Sequence, residues 1–237
     1  MKYLFFMVYF FINLTNSFAE TFNHNDISQN NNLFNAEINK KLDQFFNQII
    51  FDDVESIKKS IASGEISANA ISKDNIPAIV LATKENRYKV IHFLINIDSI
   101  NLEAENNFGE NALMWACHHG NLPLVVELIT IKNVAIDKVG WSAIHYAASA
   151  GHYDVVKFLI DHQANVDALS PNETTPMMLA ARHGHIKVVK LLLDNGADLS
   201  IKNQQNMTAI DFARQSNQDE IMDGLISRWK KIYGNNY

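Results

Sequence analysis

The chain has 237 residues, with 20 basic against 26 acidic side chains and a net charge of −6. That balance leaves no basic footprint for nucleic acid. Hydrophobic residues make up 47% of it, enough for a continuous core, while the single cysteine, Cys117, has no partner for an intramolecular disulfide, so apolar packing has to carry the stability.

Residues 1–19 place one positive charge, Lys2, ahead of an apolar run that ends at Leu14 and is too short to span a bilayer comfortably. Such a segment reads as an export signal. Ser17-Phe-Ala19 supplies small residues three and one positions before the expected cut between Ala19 and Glu20. The expected product is exported, periplasmic or secreted, free of the membrane once cleaved, and monomeric. Residues 20–41 contain Gln29-Asn-Asn-Asn32 and little apolar periodicity, so they read as a flexible Asn-rich tether, with order beginning near Ile38.

Downstream the chain repeats itself. Asn111-Ala-Leu-Met-Trp-Ala-Cys-His-His-Gly120, Ser142-Ala-Ile-His-Tyr-Ala-Ala-Ser-Ala-Gly151 and Thr175-Pro-Met-Met-Leu-Ala-Ala-Arg-His-Gly184 are copies of one block. The position of the closing glycine is held elsewhere by Asp52, Asn86 and Asn217, all residues that tolerate a left-handed backbone. From Asp52 onward these positions are spaced by 34, 34, 31, 33 and 33 residues, which counts six copies. A helix ending in such a residue turns sharply, and a second apolar run follows each time, so the unit is helix, tight turn, helix.

Nine residues before the turn, Asn111, Ser142, Thr175 and Thr208 can each cap a first helix, and Pro176 suits the position after its cap. Pro77 occupies a cap position itself and makes the second copy irregular. Small residues such as Ala116, Ala147 and Ala180 let first helices approach. Runs such as Val155-Val-Lys-Phe-Leu-Ile160 give second helices a wide apolar stripe. Phe45, Phe46, Val54, Ile57 and Ile61 carry the packing at the front, and Ile221, Leu225, Trp229 and Ile232 are expected to cover the back. Trp115 and Tyr146 align with Leu81, Leu179 and Phe212 and read as core.

Ser142 through Ile160, with Ala164-Asn-Val-Asp167 after it, resembles an ankyrin repeat, as does Thr175 through Asp198. The resemblance covers about residues 42–234, in copies at approximately 42–72, 73–104, 105–136, 137–168, 169–201 and 202–234. It implies an all-α solenoid of six helix-turn-helix units joined by short loops and β-turns. Departures from the pattern are specific. His145 alone keeps the family's histidine in the first helix, Gln163 stands where Gly196 stands one copy later, and copy three runs two residues short after Thr130, which implies a trimmed outer loop.

The resemblance also implies a protein-binding surface on the loop tips and the concave side of the first helices. Carried onto this chain, it picks out Phe108, Glu110, Val139, Trp141, Asn172, Thr174 and Met207 on the tips, and His118, His119, Arg182 and His183 on the helices. Phe108 and Trp141 occupy matching places on consecutive tips, where the fold needs no large aromatic and a partner can use one.

Other chemistries find little support. His118, His119, His152, His183 and His185 recur near one turn, but stacked copies set them too far apart for one ion and no Cys or carboxylate joins them at ligand spacing. There is no Gly-rich phosphate loop, G-x-S-x-G elbow or H-E-x-x-H helix, and Cys117 aligns with Ala148 and Ala181 as a small core residue. Neither catalysis nor a cofactor is expected. The alternatives are a secreted factor that acts on host proteins by the same binding mode, a metal or small-molecule carrier built on the turn histidines, and a spacer without a partner. Asn172-Glu-Thr174 and Asn206-Met-Thr208 also fit the N-glycosylation acceptor pattern.

Overall fold

A computed structural model describes residues 24–237, with side chains from residue 35 onward; the export signal and cleavage site expected within 1–20 lie outside them. The segment read as a flexible tether is helical from His24. Helix α1 runs His24–Ile50. Its composition is Asn-rich, but no Pro or Gly interrupts it, and the apolar residues Leu42, Phe45, Phe46 and Ile49 recur at helical spacing, so nothing local breaks the helix. Contacts divide the described chain between Gln44 and Phe45, and the repeats occupy the second part, where Phe45, Phe46 and Ile49 are buried.

The remaining helices are α2 (Val54–Ala62), α3 (Ala78–Lys84), α4 (Tyr88–Leu94), α5 (Ala112–His118), α6 (Leu122–Val126), α7 (Ala143–Ala150), α8 (Tyr153–Asp161), α9 (Pro176–Arg182), α10 (Ile186–Asp194), α11 (Ala209–Gln215) and α12 (Asp219–Tyr233). No strand occurs among the described residues; a single bridge joins Ile71 and Pro77. From α3 onward the first helices α3, α5, α7, α9 and α11 pack successively on one another, and each packs on the second helix of its own copy. Second helices form the other layer, where α8 touches both α6 and α10. Ala116, Ala147 and Ala180 are buried between first helices and Val156, Leu159, Val189 and Leu192 between layers.

All six turn positions have positive φ: Asp52 (56°), Asn86 (53°), Gly120 (67°), Gly151 (79°), Gly184 (79°) and Asn217 (55°). At two of the glycines the missing side chain is needed for a second reason. The imidazole of His152 lies over Gly120, and a Cβ there would meet its Nδ1 at 2.5 Å; the ring of His185 crowds Gly151 in the same way. Each ring spends its Nε2 on a carbonyl of the preceding copy, His152 on His118 (2.9 Å) and His185 on Ser149 (3.0 Å). A glycine in one copy therefore makes room for the histidine of the next.

A second relay runs along the outer loops. Asn101, Ala135, Asn165 and Asp198 donate their backbone N–H groups to the side chains of Asn69, Glu103, Asp137 and Asp167 respectively, at 2.7, 2.8, 2.9 and 3.1 Å. In three pairs the acceptor belongs to the preceding copy, and in the fourth Asp137 stands at the boundary where copy four begins. The motif Ala164-Asn-Val-Asp167 contains both a donor and an acceptor of this relay.

The departures have structural counterparts. Gln163 does adopt a positive φ, 69°, where Gly196 takes 88°, so a non-glycine residue carries the left-handed strain. In copy three α6 passes into a π-helical turn at Glu127–Ile131. The distance from Gly120 to the next left-handed residue, Asn133, is 13 positions, one more than from Gly151 to Gln163, and the π turn absorbs the extra residue. Asn133 to Gly140 then spans 7 positions against 10 from Gln163 to Glu173, which is the trimmed loop. Pro77 caps α3 without a side-chain bond.

At the back, Ile221 and Leu225 are buried as expected, but Ile232 is 52% exposed. The aromatic contacts there are made by Trp229 with Tyr233 and Tyr237.

Candidate functional site

The loop tips are built by short polar side chains that satisfy their own backbone. Asn106 Oδ1 accepts the N–H groups of Phe108 (2.9 Å) and Glu110 (3.1 Å), and Asn203 does the same for Gln205 and Met207 (both 3.0 Å). Ser72 and Ser170 each accept one such bond, from Ile76 and Thr174. Left-handed residues complete the tips at Asn75, Gly109, Gly140, Glu173 and Asn206. With the backbone held this way, the side chains between these anchors are free to vary.

The expected contact residues divide sharply. Val139 is 99% and Phe108 79% exposed, and both project from tips. Asn172, His118, His119, Arg182 and His183 are exposed as well. Thr174 is not available: it is 2% exposed, and its carbonyl accepts the Nε2–H of His145 at 3.0 Å, because the tip folds over the histidine of the preceding copy. Glu110 is half-buried, with Oε1 accepting from the Tyr146 hydroxyl (2.7 Å) and Oε2 from Asn106 Nδ2 (2.7 Å). Met207 is half-buried, its sulfur accepting from Gln215 Nε2 at 2.9 Å.

Trp141 is half-buried. Its ring stands edge-on to His145 (5.3 Å, 79°) and Tyr146 (6.5 Å, 82°), so it leans back on α7 and does not project like Phe108. Trp115 and Tyr146, expected in the core, are half-exposed on the same face. Their aligned position lies at the edge of the first-helix layer: Leu81 and Leu179 there are half-buried too, and an aromatic ring extends further out. Trp115 packs against Tyr146 (5.9 Å) and under the Lys84 ammonium (5.2 Å), while its indole N–H is shielded without an acceptor. A shielded donor left unpaired costs about 1–3 kcal/mol, which a leucine in that place would avoid.

Together Trp141, Tyr146, His118, His145, Ser149 and Leu179 line a concavity of about 230 Å³ on α5, α7 and α9. Its floor is set by His145, whose Nδ1 faces Ser142 Oγ (3.0 Å) and accepts the Ser142 N–H (3.3 Å). With Nδ1 accepting, the proton sits on Nε2 and is donated to Thr174, and burial holds the pKa down at about 4 against the raising effect of carbonyl bonds from Thr174 and Ala168. The ring is neutral at pH 7. Copy six supports its cap differently, with Asp211 accepting from Thr208 N–H (2.9 Å) and Oγ1 (3.2 Å). His118 is also shifted below the ordinary histidine range, first by burial and then by His119 and His152, with Glu110 opposing. The pocket therefore presents neutral rings.

Residues 79–170 and 163–235 match the family model for ankyrin repeats in three copies. The chain belongs to the ankyrin-repeat family. Its relatives include mouse ankyrin repeat and SAM domain-containing protein 6, 36% identical over 103 residues, or 42% of this chain and 12% of that protein. Human ankyrin repeat and SOCS box protein 3 is 30% identical over 109 residues, 44% of this chain and 21% of that protein. Human neurogenic locus notch homolog protein 1 is 30% identical over 120 residues, 49% of this chain and 5% of that protein. The chain thus spans about a fifth or less of the length of these relatives, and the likeness is confined to the repeats.

Ankyrin stacks generally mediate protein–protein interaction. Three of the five turn histidines are committed to the stack. His119, His152 and His185 each place Nε2 within 3.0 Å of a carbonyl of the preceding copy. Among the described residues no group of three or more His, Cys, Asp or Glu is gathered as a metal would need, and no helix is long and apolar enough to cross a membrane.

Proposed function

We propose that this ankyrin stack is an exported binding scaffold that holds another protein through the tips and first-helix face of copies three to five, without chemistry of its own. The observation that carries the reading is the contrast between two sets of side chains at repeating positions. Ala116, Ala147 and Ala180 are buried alike, while the exposed pairs His118-His119 and Arg182-His183 and the half-buried pair Ser149-Ala150 change with every copy. Phe108 and Val139 are large apolar side chains left in solvent on adjacent tips. Exposed aromatic and aliphatic side chains of this kind anchor partners. Export rests on the signal expected in residues 1–19. The partner is then an exported protein of the same cell or, for a secreted version, a protein of a host.

Co-purification from the exported fraction tests this reading. A partner captured by the full chain and lost by a Phe108→Ala, Trp141→Ala double variant of unchanged melting temperature is the expected result. Retention of the partner at unchanged affinity by that variant would overturn the assigned surface. Fractionation separates the two versions: protein confined between the membranes excludes the secreted one.

A further inference from the structure

We propose that the pocket of copies three and four receives an arginine side chain of the bound partner, its guanidinium stacked on one of the rings of Trp141 and Tyr146 with its N–H edge toward the other, and drawn to the carboxylate of Glu110. This deepens the binding-scaffold reading and rests on it.

Three observations combine. The pocket walls are π faces: Trp141 and Tyr146 stand 82° apart and Tyr146 and His118 81° apart, a corner closed by three rings. In such a corner a flat cation can stack on one ring while its N–H edge meets the next, which an aliphatic chain cannot do. The second observation is charge. Glu110 holds the hydroxyl end of Tyr146 and the amide of Asn106, but no cation pairs with it among the described residues. The neighbouring basic groups are engaged elsewhere, with Lys84 over Trp115 and Lys138 on Glu105 and the Gly109 carbonyl. A half-buried carboxylate whose only bonded partners are neutral donors has no counter-ion and attracts a cation. The third is access, since Trp141, Tyr146 and Leu179 are each only partly covered while His145 beneath them is fully buried.

Arginine suits this arrangement better than lysine because its flat, weakly hydrated guanidinium stacks on rings and donates in a fork to a carboxylate. Arg182 fixes the direction. It stands one turn beyond Leu179 on α9, exposed, and repels a cation on its side, so the incoming charge belongs at the Glu110 end.

The test titrates N-acetylargininamide into the full chain and follows the indole N–H resonances of the three tryptophans by NMR, with Trp141 assigned through Trp141→Phe. The expected result is a saturable shift of the Trp141 resonance. N-acetylcitrullinamide, equal in shape but uncharged, should bind about tenfold more weakly, as should the arginine probe to Glu110→Gln. Tyr146→Leu should abolish the shift, and Arg182→Ala should leave it as strong or stronger; melting curves confirm that each variant is folded. Equal binding of citrullinamide, an unmoved Trp141 resonance, or unchanged affinity in Glu110→Gln would overturn the assignment. If a captured protein partner is still lost on Trp141→Ala while the arginine probe fails, the arginine pocket is refuted and the binding face stands. If the partner is indifferent to Trp141 and Phe108, the face itself is refuted.

Discussion

Replacing Gly151 with alanine separates two reasons for one glycine. The backbone at Gly151 has φ +79°, which an L side chain adopts at a cost of about 1–2 kcal/mol. The added Cβ would also meet the His185 ring, with Cε1 at 2.6 Å and Cγ at 2.7 Å, too close for the ring to stay in place. Moving the ring breaks the 3.0 Å bond from its Nε2 to the Ser149 carbonyl, a further loss of about 0.5–1.5 kcal/mol. The total expected for Gly151→Ala is about 1.5–3.5 kcal/mol. Gly196 is the control. Its φ is +88° but a Cβ there has nothing within 4 Å, so Gly196→Ala should cost only about 1–2 kcal/mol. Urea unfolding followed by circular dichroism gives both values. In a His185→Ala background the cost of Gly151→Ala should fall to that of the control. If it is the same with and without the histidine, or if the two glycine substitutions cost the same in the native chain, the packing argument is wrong and only backbone strain remains.

Acid should weaken the fold through His145. Its native pKa, about 4, lies below the unfolded value of 6.5, so its contribution is complete above pH 6.5 and is lost as pH falls toward 4. Between pH 7.5 and pH 5 this removes about 2 kcal/mol, to be read from urea midpoints, and an equal pH dependence in His145→Gln would refute the assignment. Leu192→Ala, fully buried between layers, should cost about 2–5 kcal/mol, and a loss below 1 kcal/mol would contradict the packing described. Cys117 is buried and its thiol is pushed far above its ordinary pKa. It should resist Ellman's reagent in the native protein and react only on unfolding, so rapid native labelling would contradict its burial. Gln163→Gly should raise the urea midpoint slightly, because relief of left-handed strain is partly offset by the greater freedom of glycine in the unfolded chain; a clear loss of stability would show that the Gln163 side chain contributes packing.

The six turns were legible because a left-handed residue is a local requirement that only a few side chains meet, and Asp52, Asn86 and Asn217 announce it as well as the glycines do. The helical course of α1 was hidden by asparagine composition, which suggests a tether, although the absence of breakers allowed a helix. Alignment placed Trp115 and Tyr146 in the core because a repeat-to-repeat comparison records apolar character but not how far a ring extends past a leucine. Thr174 was misjudged for the opposite reason: its tip position suggested exposure, while the contact that buries it comes from His145, 29 residues earlier. The π turn in copy three has a sequence signal only in retrospect, as one extra residue ahead of Asn133 and three fewer after it.

The pairing of the Gly120 and Gly151 turns with a histidine ring from the following copy makes this part of the array editable in whole units. Removing residues 142–174 would join Trp141 to Thr175 and bring Gly120 under His185, the same partner type it has now. Asp137 would then take the backbone amide of Asp198, and His145 would leave together with Thr174. Such a shortened chain is expected to melt cooperatively, whereas a deletion that removes only part of a copy would set a turn against the wrong neighbour. Recombination between copies can therefore lengthen or shorten this protein without leaving a mismatched seam, and what each such event changes is the set of tips it displays.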